Sequence, residues 1–167
     1  VELPAILYNV PGRTGMTITP DTYKELCKHP NIVATKEASG KVDDVVRIRD
    51  LCGDDLDIYS GEDGLITPML SLGAKGVISV LSILMPKEPS LMCKKFFEGD
   101  LKGSLEMQLK YIPLINALFS EVNPIPAKCA MAHMGYTENT LRSPLYPMEE
   151  EHEAVLLEKM REQGINV

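Results

Sequence analysis

No dense run of lysine and arginine appears in this chain, and its net charge is -7. Nucleic acid and anionic membrane surfaces reward concentrated positive charge, so neither is expected as a main partner and a small-molecule ligand fits better. A run of about eighteen apolar residues, the minimum for a membrane-crossing helix, is also missing. Nor does a basic-then-apolar segment open the sequence in the manner of a signal peptide. The default expectation is an intracellular, cytoplasmic protein.

Metal motifs are scarce as well. The four cysteines, Cys27, Cys52, Cys93 and Cys129, stand far apart with no Cys-x-x-Cys pair, and read as reduced core thiols. His29, His133 and His152 form no His-x-x-x-His arrangement and show no evident ligand spacing to a cysteine, so no metal is expected. Asp54-Asp55-Leu56-Asp57 lacks the glycine and the distal glutamate of a calcium loop and reads as a solvated turn.

What is present is a globular composition, 44% hydrophobic and 25% charged over 167 residues, enough for one core of useful size. The text opens on Val1 rather than Met, a few residues before a strand-like segment, and the expectation is a piece of a longer chain. Ala5 to Val10 is a short apolar run stopped by Pro11-Gly12, which predicts a strand and a turn. Thr19 followed by Pro20 predicts an N-cap and first helical position for a helix through Lys28. The pattern repeats: strand Ile32 to Lys36, then helix Lys41 to Leu51 with Val42, Val45, Val46 and Ile48 inward and a stop near Gly53. Strand Leu56 to Ser60 precedes a short helix from Gly64 to Leu72, and strand Gly76 to Val80 precedes a helix from Pro86 to Glu98.

Strands that are nearly continuous in apolar residues and alternate with helices imply an α/β fold with a parallel sheet covered on both faces. Beyond Gly99 the alternation ends, and helices are predicted at Leu101 to Glu121 with a kink at Pro113, at Pro124 to Met134 and at Glu149 to Gln163. Two regions follow, a βα region over residues 1–99 and a helical region over 100–167. No Gly-x-Gly-x-x-Gly follows any strand, and Gly61-Glu62-Asp63-Gly64 lacks the lysine of a phosphate loop. Half of an eightfold barrel is therefore favoured over a doubly wound dinucleotide-binding sheet.

Barrel enzymes carry their chemistry at the carboxyl ends of the strands, here Tyr8 and Asn9, Lys36 and Glu37, Ser60 and Gly61, and Ser79. A lysine ending an apolar strand either snorkels to solvent, the commoner outcome, or loses its proton in a desolvated pocket and becomes a nucleophile toward a ketone. Tyr8, one strand away, could pass protons to the adduct, although a core tyrosine bonded to backbone is the commoner reading. Arg13 could pair with a substrate carboxylate or be an ordinary surface charge. Gly61 and Gly64 admit a close ligand or simply make a tight turn. Adjacent Glu62 and Asp63 read as helix-start acids rather than an acid and base pair, and the nine methionines as core filler.

Five segments in order, Tyr8-Asn9-Val10-Pro11-Gly12-Arg13-Thr14-Gly15, Lys36-Glu37-Ala38-Ser39-Gly40, Ser60-Gly61-Glu62-Asp63, Gly76-Val77-Ile78-Ser79-Val80 and Asn123-Pro124-Ile125-Pro126-Ala127-Lys128, closely resemble the dihydrodipicolinate synthase family across essentially the whole chain. The resemblance implies a (β/α)8 barrel with a C-terminal helical extension, usually a homotetramer. It implies a lyase that condenses pyruvate with aspartate semialdehyde on the route to lysine and diaminopimelate. By position, Lys36 forms the imine with pyruvate and Tyr8 belongs to the proton relay. Arg13 binds the semialdehyde carboxylate, while Gly61 and the backbone carbonyl of Ile78 line the pyruvate pocket. No cofactor beyond that covalent imine is implied. The loop Pro11 to Gly15 resembles the synthase form rather than related pyruvate lyases such as N-acetylneuraminate lyase.

The first four strands of the family barrel have no counterpart in these residues, nor does the threonine pair that holds the pyruvate carboxylate, nor a second tyrosine donated across a subunit contact. The chain is thus expected to act with the missing N-terminal half. Two alternatives stand beside this: a non-catalytic half-barrel module that pairs with another chain or itself, and a Schiff-base aldolase with a different aldehyde partner.

Overall fold

The computed structural model describes residues 2–167. Strand β1 (Ala5–Asn9) leads through a single helical turn, α1 (Pro11–Thr14), to α2 (Pro20–Leu26). Thr19 caps α2, its side chain accepting from the Thr22 amide at 3.3 Å with Pro20 in the first turn. Then come β2 (Ile32–Glu37), α3 (Val42–Cys52), β3 (Asp57–Ser60), a 3-10 turn at Asp63–Leu65, α4 (Ile66–Ser71) and β4 (Gly76–Val77). Among the described residues, α4, α5 (Leu81–Leu84), α6 (Lys87–Phe97), α7 (Leu101–Leu118), α8 (Ile125–His133) and α9 (Glu150–Glu162) bury apolar side chains in one shared core.

The strands form one parallel sheet in the order β1-β2-β3-β4. Each new strand is added beside its predecessor, with no reversal of order of the kind that defines a doubly wound sheet. Side chains alternate between faces, and the register aligns Tyr8, Lys36, Tyr59 and Gly76 in one row across all four strands. The next row up, Asn9, Glu37, Ser60 and Val77, points to the opposite face.

Two apolar cores result. One lies between α2, α3 and the sheet and holds Tyr23, Val45, Ile48, Cys52, Leu56, Ile58 and Met69. The larger runs from Ile66 and Leu81 through Met92, Leu114 and Leu118 to Leu156 and Met160, so α7–α9 share a core with the last βα units rather than forming a separate body. Each such fully buried side chain contributes about 1.5–3 kcal/mol relative to exposure.

Several expectations needed correction. The fourth strand ends at Val77, not Val80, because the amides of Val80 and Leu81 each donate to the Asp63 carboxylate at 2.8 Å and turn the chain into α5, a helix the sequence reading missed. Val46 is 49% exposed; the inward stripe of α3 is Val45, Ile48 and Cys52. Pro11 and Gly12 begin α1, which Gly15 ends with φ 68°, a left-handed backbone that favours glycine. Helix α7 runs through Pro113 and stops at Leu118, where the Phe119 and Ser120 amides fall back on Asn116 and Ala117. Among the described residues no helix is long and apolar enough to cross a membrane.

Candidate active site

At the carboxyl ends of the strands a cleft of about 770 Å³ opens, walled by Tyr8, Arg13, Lys36, Gly61 and Glu62 together with the 119–123 segment that follows α7. Lys36 is half-buried, and its Nζ stands 4.3 Å from the centroid of the Tyr8 ring. The negative face of that ring attracts the lysine head and orients it into the cleft. Tyr8 is 47% exposed on the open face of the sheet, so within these residues it walls the cleft and belongs to neither apolar core.

Gly61 sits against the same lysine. A β-carbon there would lie 2.6 Å from Ala38 Cβ and 3.1 Å from Lys36 Cε, so the absence of a side chain is what lets the end of β3 close on β2. Its amide donates to the Glu37 carbonyl at 2.7 Å. Ile78 lies one residue past β4, its amide on the Ser60 carbonyl at 2.8 Å, outside the lining of the cleft.

Arg13 reaches the cleft from α1, and its Nη1 donates to the Asn123 carbonyl at 2.9 Å. One of five guanidinium donors is thereby used to fix the fork's direction, and the rest remain available to an anion. This contact joins positions 110 apart, and no local signal in the sequence announces it. Phe119 to Asn123 were therefore not anticipated as a wall of the site.

Glu62 and Asp63 divide their roles. Asp63, buried, accepts two amides and ties the end of β3 to the start of α5, so its helix-start reading holds across elements rather than within its own turn. Glu62 faces the cleft. Burial raises its carboxyl above the ordinary range, the charge of Asp63 adds to this, and Lys36 and Arg13 oppose it.

Beneath the lysine row, Glu37 is buried and fully engaged. It accepts from Asn9 Nδ2 at 3.1 and 2.9 Å, from the Ser39 amide at 2.9 Å and from the Tyr23 hydroxyl at 3.4 Å. Asn9 Oδ1 in turn accepts the Ile18 amide at 3.0 Å. This network clamps the loops after β1 and β2, holding Tyr8 and Lys36 side by side.

The sequence model of the Dihydrodipicolinate synthetase family matches residues 1–163. The chain belongs to this family. A curated relative, the 4-hydroxy-tetrahydrodipicolinate synthase of Lachnoclostridium phytofermentans, is 50% identical over 166 residues, covering 99% of this chain and 56% of its own length. The corresponding synthase of Caldicellulosiruptor saccharolyticus is 48% identical over 167 residues, 100% of this chain and 56% of its own length. Among solved structures, dihydrodipicolinate synthase from Thermotoga maritima superposes with a TM-score of 0.96 at 38% identity, covering 99% of this chain and 57% of that one. The Acinetobacter baumannii synthase complexed with pyruvate gives 0.94 at 39% identity, covering 99% and 57%. The chain thus spans a little over half the length of the family members it matches.

Away from the cleft the cysteines are free, with Cys52 and Cys129 buried. The absence of histidines at ligand spacing from a cysteine was misjudged. Cys129 and His133 are one helical turn apart on α8, and Glu153 of α9 comes to meet them. Nothing in the sequence around Glu153 marks it as their neighbour.

Proposed function

We propose that this chain is the second half of a (β/α)8 barrel enzyme, with the βα units in residues 1–99 and a C-terminal helical extension in 100–167. The whole protein condenses pyruvate with aspartate semialdehyde. The observation that carries the reading is the Lys36 head held 4.3 Å over the Tyr8 ring in the cleft that Arg13 also enters. Family membership and the pyruvate complex of the Acinetobacter relative support it.

In this reading the unprotonated Lys36 amine attacks the keto carbon of pyruvate, and the carbinolamine loses water to form an imine. That imine draws electrons from the pyruvate methyl group, which loses a proton and attacks the semialdehyde carbon. Tyr8 moves protons to and from the carbinolamine. Arg13 holds the semialdehyde carboxylate through its remaining donors, Gly61 lines the pyruvate pocket, and the Ile78 carbonyl joins it where the completed barrel extends the pocket past the present cleft. The covalent imine is the only electron sink this route requires. Binding is completed by the N-terminal half of the barrel, in a cytoplasmic homo-oligomer. Exposure of Ile6, Tyr8 and Ile78, and the single neighbour that each of β1 and β4 has, favour such a completing partner.

Borohydride reduction of the natural-length protein in the presence of pyruvate, followed by peptide mass spectrometry, should place a reduced three-carbon adduct on Lys36. An unmodified Lys36 with intact turnover would sink the assignment. The open sheet face also supports a second reading, a non-catalytic module that needs a partner only to fold. That reading expects no adduct on Lys36 even in the completed assembly, and sedimentation of these residues as a stable, folded monomer would count against any obligate partner.

A further inference from the structure

Three metal-ligating side chains converge where α8 packs on α9, none of them in the lining of the cleft. Cys129 and His133 stand at i and i+4 on α8, so both project from one helix face. Glu153 lies in the first turn of α9, and its Oε1 is 2.7 Å from His133 Nε2. One donor atom from each of the three lies within 4.8 Å of the others.

We propose that Cys129 Sγ, His133 Nε2 and the Glu153 carboxylate form a binding site for one divalent transition-metal ion of the zinc class, which fastens α8 to α9. A thiolate beside an imidazole selects such ions over magnesium or calcium, whose preferred donors are oxygens. Donors around a tetrahedral zinc stand roughly 3.3–3.8 Å apart, given metal–ligand bonds of about 2.0–2.3 Å. The 2.7 Å contact therefore opens by less than about 1 Å and the wider separations close by a similar amount, within the reach of side-chain rotation. Cys129 offers its sulfur from the core, fully buried. His133 and Glu153 keep 37% and 30% of their side-chain surface exposed, so an ion has an entry path and the fourth position is left to water. On binding, Cys129 yields its proton to solvent, and one thiolate plus one carboxylate match the charge of the cation. Glu121, which accepts the Glu149 amide and a contact from His152 Nδ1 at 2.9 Å each, adds negative potential nearby without joining the ligand set.

A bare hydrogen bond between His133 and Glu153 over an ordinary core thiol is the competing account, and cobalt separates the two. Co²⁺ added to the metal-stripped protein at natural length should bind with one-to-one stoichiometry and produce thiolate-to-cobalt charge-transfer absorption. One equivalent of Zn²⁺ should remove that absorption. Cys129→Ser should abolish it, and His133→Asn and Glu153→Gln should each weaken cobalt binding by about tenfold or more, at least the cost of losing an outer-shell partner. Should Cys129→Ser fail to fold, the variants at the solvent-accessible His133 and the partly exposed Glu153 decide. The proposal is overturned if no such absorption appears. It is equally overturned if the absorption persists with unchanged affinity in His133→Asn and Glu153→Gln, since a cysteine elsewhere would then be the ligand.

Discussion

The two faces of the sheet are built from alternate residues of the same strands, yet they behave as different materials. On the face under α2 and α3, polar groups are hydrogen-bonded to one another: Glu37 with the side chains of Asn9 and Tyr23 and with the Ser39 backbone amide, and Tyr23 with Thr35 at 2.9 Å. Burial pushes the Tyr23 hydroxyl well above its ordinary value, so it stays a neutral donor beside the Glu37 carboxyl. On the opposite face, Tyr8 and Ile6 are about half exposed, and Lys36 lies against the Tyr8 ring and Gly61 within the field of Glu62. The closed face supplies rigidity, and the open one is where we propose that the completing barrel half and the substrate meet Lys36. In our proposal Lys36 is presented to substrate by neighbours whose own bonding is already complete, which is how a supporting shell fixes a reactive group.

The largest test of that division is Lys36→Ala. Turnover in the completed enzyme should fall by on the order of 10⁴-fold or more, because the nucleophile is gone, while the melting temperature of the assembly should scarcely move. A large loss of stability would mean the open face is structural after all. Glu37→Ala should invert the pattern. It strands the buried Asn9 amide and takes the acceptor from the Ser39 amide, while Tyr23 keeps its Thr35 partner, so we expect a loss of about 1–3 kcal/mol in urea unfolding.

Gly61→Ala acts on both faces at once. Its new β-carbon must displace Ala38 or the Lys36 stem, so we expect a loss of about 1–3 kcal/mol together with slower borohydride trapping of pyruvate. Unchanged stability would show that β2 and β3 have slack at this point. The smallest effect should come from Glu62→Gln. Burial raises this carboxyl in the folded chain, so its penalty is present in full above the folded pKa and vanishes as pH falls below the unfolded value. The variant should therefore melt slightly higher than the parent at neutral pH and identically in acid. A variant that melts lower at neutral pH would mean that attraction to Lys36 and Arg13 outweighs the burial.

Much of this architecture could be read locally. The apolar runs read as strands from Ala5 to Val10, Ile32 to Lys36 and Leu56 to Ser60, the Thr19-Pro20 cap and the stop near Gly53 depend on short-range sterics and hydrogen bonding, and the observed strands lie within one residue of those bounds. The errors have a common cause. Val80 was assigned to a strand on its apolar neighbours, but its amide belongs to Asp63, seventeen positions earlier. Val46 fitted a helical stripe, but which side of α3 meets the sheet is set by packing.

What the sequence determined by itself was the alternation of strands and helices, the lysine at a strand end and the motifs that mark the family, because each rests on contacts within a few residues or on residue identity alone. Only the tertiary structure decided which side chains meet. Lys36 lies beside Tyr8 through strand register, Arg13 is aimed by Asn123, and Cys129 and His133 face Glu153 across two helices. Those meetings depend on how elements dock, and docking is fixed by the summed burial of whole faces, which no single residue encodes.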